Sequence, residues 1–164
     1  MRTGHWFYLP ASILFLIAFM TACLADQPAQ EHATISACPV TQAVRAKPPE
    51  DAAVSAVPEY GYYFVNEDRS LWASAWWTDQ EETHLYAGEK GIKMGWFRPE
   101  GVELEISGRR IDAQAPPLDA HAPCCYPTRF QATGLLFPTE GCWEVSATAG
   151  DSVFSFVVEV HPAE

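Results

Sequence analysis

The clearest pattern along the chain is strict alternation at Val102–Ser107. Val102, Leu104 and Ile106 fall on one side, and Glu103, Glu105 and Ser107 on the other. Side chains of a strand alternate with period two, so this segment reads as a half-buried β-strand. Similar apolar and β-branched runs predict strands at Tyr60–Asn66, Ser70–Trp77, Glu82–Tyr86, Gly91–Phe97, Thr128–Phe137, Cys142–Thr148 and Ser152–Val160. In the last of these, Phe154, Phe156, Val158 and Val160 share a face. Ala87-Gly88-Glu89-Lys90-Gly91 reads as a hairpin turn, and Ala149-Gly150-Asp151 as a tight turn between the final two strands. No segment from 60 to 160 sustains a helical period.

Seven or eight strands in about 100 residues predict an all-β fold, an immunoglobulin-like β-sandwich. The antibody-type disulfide is not expected. Glu140 stands where a Tyr would precede the second cysteine, and Cys38 lies outside the predicted strands. Residues 111–127, with Pro116, Pro117, Pro123 and Pro127, read as a long loop. Residues 23–58 carry Pro28, Pro39, Pro48, Pro49 and Pro58 with little periodicity, so they read as an extended tether.

Ahead of the tether, Arg2 is followed by an apolar run ending near Ala25. That is about fifteen residues, short of the roughly twenty that span a bilayer. A positive start, a short apolar middle and small exit residues read as a secretory signal. Met20-Thr21-Ala22-Cys23 resembles a bacterial lipobox, with Met20 in place of the favoured Leu. The resemblance implies that residues 1–22 are removed and that Cys23 carries a diacylglyceryl group. Ordinary cleavage after Ala25 is the alternative. Lipid chains supply affinity at about 0.8 kcal/mol per buried CH₂, so the chain is expected to be exported and held on the extracytoplasmic side of a membrane.

Charge narrows the partners. The 164 residues carry a formal net charge of −11, and Lys and Arg do not cluster. Nucleic-acid binding needs basic patches, so that class is excluded. Five tryptophans follow the signal. Trp72 and Trp76 alternate onto one face of a single strand and read as core. Trp77 points the other way and is the candidate ligand contact, while Trp143 reads as core. Enzyme signatures are missing. There is no Gly-x-Ser-x-Gly elbow, and Gly88-Glu89-Lys90-Gly91 lacks the ending of a phosphate loop. Asp79, Glu81 and Glu82 read as a solvated turn, because an EF-hand's spacing is absent.

Three stretches resemble a group of uncharacterised exported bacterial lipoproteins: Ala37-Cys38-Pro39-Val40-Thr41, Leu104 to Asp112, and Phe137-Pro138-Thr139-Glu140-Gly141-Cys142-Trp143-Glu144-Val145 running on to Phe156-Val157-Val158. The resemblance covers most of residues 37–160. It implies an exported single β-domain and adds no chemistry. Cys124-Cys125 departs from that pattern.

Without Cys23, four cysteines remain: Cys38, Cys124, Cys125 and Cys142. An even number in an exported protein favours disulfides, and four allow three connectivities. A bridge between neighbours needs a small strained ring. The other two options join Cys38 and Cys142 separately to the 124–125 pair. The resemblance, in contrast, implies Cys38–Cys142. That pairing leaves His121, Cys124 and Cys125 as a candidate metal or thiol-redox cluster, with Met94 or His84 as further ligands. The spacing matches no standard zinc pattern.

The reading is therefore a signal peptide over 1–22, a tether over 23–58 and a β-sandwich over 59–164. Its expected role is a membrane-anchored, non-catalytic binding or accessory module for a protein or small-molecule ligand, with no cofactor. A periplasmic metal or redox protein using His121, Cys124 and Cys125 is the alternative. Carbohydrate binding through exposed aromatic rings is a third.

Overall fold

A computed structural model describes residues 37–49, 60–79, 84–88, 90–124 and 126–163. Residues 1–22, expected as a signal peptide, and Cys23 lie outside them. The described residues form ten strands: β1 (Val44–Ala46), β2 (Gly61–Val65), β3 (Trp72–Ser74), β4 (Leu85–Tyr86), β5 (Ile92–Phe97), β6 (Glu105–Arg110), β7 (Asp119–His121), β8 (Phe130–Leu136), β9 (Gly141–Ala149) and β10 (Ser152–His161). They make a six-stranded sheet in the order β1-β2-β3-β5-β8-β7 and a four-stranded sheet in the order β4-β10-β9-β6. All pairs are antiparallel except β4 with β10.

The all-β sandwich predicted from the alternation is present. In β10, Phe156, Val158 and Val160 are buried and Phe154 packs against the same core. Opposite them β9 buries Trp143, Val145, Ala147 and Ala149, and β5 and β8 add Ile92, Met94, Trp96 and Leu135. Phe64 of β2 stacks on Phe156 of β10 with centroids 4.3 Å apart, which joins the two sheets. Burying such a side chain is worth about 1.5–3 kcal/mol. The turn at Gly150-Asp151 closes the β9–β10 hairpin, with Gly150 at φ 60°.

A second cluster of Tyr63, Trp72 and Phe97 lies apart from the main core and is backed by Phe130 and Val65. By alternation Phe97 points away from Met94 and Trp96, so this cluster sits on the outer face of the six-stranded sheet. Burial raises the pKa of the Tyr63 phenol.

Four local expectations differ from what the chain does. The run Ser70–Trp77 is a strand only over Trp72–Ser74. The Thr78 amide and hydroxyl both donate to the Ala75 carbonyl, at 3.0 and 2.7 Å, and turn Trp76–Asp79 into a 3₁₀ helix. The segment 87–91 does not close a hairpin, because β4 belongs to the four-stranded sheet and β5 to the six-stranded one. It is a crossover: the Ala87 amide donates to the His161 carbonyl at one side and the Gly88 amide to the Phe137 carbonyl at the other. The loop 111–127 contains β7, which pairs with β8 from Asp119 to His121. Finally, β1 falls inside the stretch expected as tether. Residues 37–49 are laid onto the sandwich by the β1–β2 ladder and by two bonds between Thr41 and Val157, at 2.8 and 2.9 Å.

Candidate functional site

Cys38 and Cys142 form a disulfide with their Cα atoms 5.5 Å apart, 104 residues distant in sequence. The three stretches that carried the family resemblance meet around it. The Ile111 amide donates to the Cys142 carbonyl at 2.8 Å. Arg110 donates to Asp112 at 2.7 Å and to the Thr139 hydroxyl at 3.3 Å. The Trp143 indole donates to the Thr139 carbonyl at 2.9 Å. The guanidinium of Arg110 lies over Gly141, at φ +124°, where a Cβ would collide with it. Gly108 leaves room for Leu118, whose Cδ2 would stand 2.8 Å from an added Cβ. The Asp112 carboxyl is held below its ordinary value chiefly by the bond from Arg110, and the Arg110 pKa is raised by the same contact. These bonds tie the ends of β6 and β9 together beside the disulfide.

His121 stands exposed on β7, opposite Gly134. Cys124 is exposed and disulfide-bonded, so its sulfur is not available as a thiolate ligand in this state. Cys125 lies outside the described residues. Met94 is buried in the core, and His84 belongs to a different cluster. Among the described residues no group of three or more His, Cys, Asp or Glu side chains could hold a metal ion. Met94 and His84, the further ligands expected for the His121, Cys124 and Cys125 cluster, thus lie in the core and against His161.

The tryptophans exchange places. Trp72 and Trp143 are buried, as expected. Trp76, expected in the core, is 42% exposed, and Trp77, expected as the contact residue, is half-buried against Phe64. The cause is the 3₁₀ turn. It advances side chains by about 120° per residue instead of 180°, so strand alternation no longer assigns their faces.

Trp76 opens onto a cavity of about 600 Å³ beneath the β4–β5 crossover. Its indole N–H donates to the Lys93 carbonyl at 3.0 Å, and Trp77 meets its ring edge-on at 86°. His84, Tyr86, Lys90, Lys93 and Ile92 complete the wall that matters chemically. Behind it, the His84 ring stacks on His161 with centroids 4.2 Å apart. The parallel pairing of β4 with β10 sets Tyr86 beside His161. No sequence signal marks this site, because its parts come from the 3₁₀ turn, β4, the crossover, β5 and the end of β10. Pockets with an apolar lining and a few polar groups are where small ligands bind.

No protein-family model matches the chain, and no curated protein sequence matches it. Among solved structures, a candidate lipoprotein from Bacillus anthracis superposes with a TM-score of 0.42 at 11% identity, over 64% of this chain and 81% of that one. A likeness at that level carries no argument about this chain.

Proposed function

We propose that this protein is a membrane-tethered, extracytoplasmic binding module without catalytic activity, and that the cavity beneath the β4–β5 crossover is its ligand site. The lipobox-like Met20-Thr21-Ala22-Cys23 supports the anchor and the export. The observation that carries the binding reading is Trp76: a large indole left exposed, with its N–H already engaged by Lys93, at the mouth of a 600 Å³ cavity. A side chain so held offers a ring face to a ligand at little further entropic cost.

Two measurements test it. Amide shifts of Ala87, Gly88, Ile92 and Lys93 are followed by NMR while neutral, cationic and anionic ring compounds are added. Shifts confined to these residues support the site, and none from any class at millimolar concentration removes it. Mass spectrometry of the exported chain is expected to show a diacylglyceryl adduct on Cys23, whereas an unmodified N-terminus at Asp26 would end the anchor reading.

A second reading, thiol–disulfide exchange at Cys124, is favoured by one observation: this disulfide-bonded cysteine is an exposed residue on a proline-flanked loop. Attack by a monothiol such as glutathione, which forms a mixed disulfide at Cys124 and releases its former partner as a thiol under conditions that leave Cys38–Cys142 intact, would support it. Equal resistance of both disulfides to reduction would remove it.

A further inference from the structure

We infer that the cavity beneath the β4–β5 crossover takes an anionic ring: a small molecule with a flat face and a carboxylate, whether a uronic sugar or an aromatic acid. The inference rests on the reading of this cavity as the binding site and adds the chemistry of the ligand.

The chain has three lysines, Lys47, Lys90 and Lys93, and two of them line this cavity. Of its five histidines, His84 lines the cavity and His161 stacks on it. This concentration of cationic and protonatable nitrogen occurs in a chain of net charge −11. Among the described residues no carboxylate lines the cavity, and neither lysine ammonium is held in an ion pair. Local positive charge on an acidic molecule selects for anions at that spot, because fields focus in concave apolar sites. A carboxylate between two ammonium groups gains charge-assisted hydrogen bonds. Trp76 supplies the second half of the specificity. Its N–H is spent on Lys93, so it offers only the ring face, and that face selects a flat or ring-shaped partner.

The test uses the full exported chain and matched pairs of ligands: glucuronate against methyl glucoside, and phenylacetate against phenylacetamide. Binding is read by Trp fluorescence and by the amide shifts named above. The acid of at least one pair is expected to bind about tenfold tighter than its neutral partner, and to weaken as salt rises. The pair that discriminates identifies the ligand's source as sugar or arene. Lys90→Gln with Lys93→Gln, both exposed positions, is expected to bring acid and neutral partner within about twofold. Trp76→Ala is expected to weaken all members at unchanged thermal stability. Glu89→Gln removes the carboxylate next in sequence to Lys90 and is expected to tighten acid binding. Equal binding of acid and neutral partners overturns the anion assignment and leaves the binding site standing. So does a preference that survives the double lysine variant, or looser acid binding in Glu89→Gln. Binding of no ring compound at all overturns both.

Discussion

Arg98 is 1% exposed, and its Nε donates to the Gln131 Oε1 at 2.6 Å. The pair closes one end of the space between the sheets, because Arg98 continues the inward row Ile92, Met94, Trp96 and Gln131 faces the same interior from β8. Among the described residues no carboxylate shares the contact. The guanidinium instead donates to the carbonyls of Pro99 and Tyr126, at 2.8 and 3.0 Å, while the Gln131 amide donates to the Pro123 carbonyl at 3.1 Å. Burial lowers the Arg98 pKa, yet arginine remains a cation at neutral pH. The pair thus anchors both flanks of the loop that carries Cys124.

Removing the acceptor leaves a buried guanidinium short of a bond. Gln131→Leu is expected to cost about 1.5–3 kcal/mol, the range for hydrogen bonds to charged groups. Arg98→Met with Gln131→Leu is expected to cost less than the sum of the single changes, because the buried charge is removed along with its partner. Urea unfolding of the four proteins of the cycle checks this, and strict additivity would show that the pair is not coupled. Hydrogen exchange at the Cys124 and Tyr126 amides should rise in both single variants.

The Cys38–Cys142 disulfide ties the N-terminal segment to β9 across 104 residues. Cys38→Ser with Cys142→Ser is expected to lower stability by about 2–5 kcal/mol, with the chain-entropy model at the upper end. Thermal melts with and without reductant check it: this double variant should lose the reductant-dependent shift that the disulfide contributes.

Gly108 and Gly141 are spaces that neighbours fill. Gly108→Ala places a Cβ 2.9 Å from the Leu118 Cβ and 3.2 Å from the Glu144 carbonyl, so a cost of about 1–3 kcal/mol is expected from overpacking. Gly141→Ala should cost more, since it adds backbone strain at φ +124° to the collision with Arg110. Comparing denaturation midpoints of the two variants tests the order.

Asp112 gives a pH signature. Its folded pKa lies below the ordinary value of 3.8, through the bond from Arg110. Its stabilising contribution is therefore complete above about pH 4 and is lost as pH falls through the lower, folded value. Its side chain is 36% exposed, which limits the contribution to about 1 kcal/mol or less. Asp112→Asn should flatten the acid limb of the stability–pH curve below pH 4 and leave the curve's shape at neutral pH unchanged.

The alternation of apolar and polar residues by itself placed most strands of the sandwich, though not β1 or β7, which lie in stretches that read as tether and loop. It placed Phe156, Val158 and Val160 on one buried face, put Trp143 in the core and located the Gly150-Asp151 turn. Those features are local: a period of two and a turn-forming pair are complete within a few residues. Only the tertiary structure decided the sheet to which β4 belongs, the burial of Arg98 against Gln131 and the exposure of Trp76 in place of Trp77. It alone gathered Lys90, Lys93 and His84 around one cavity and stacked His161 on His84. Each depends on a partner far along the chain, such as Tyr86 beside His161 or the Gly88 amide on the Phe137 carbonyl. A pattern read within one segment carries no record of which distant segment will cover it.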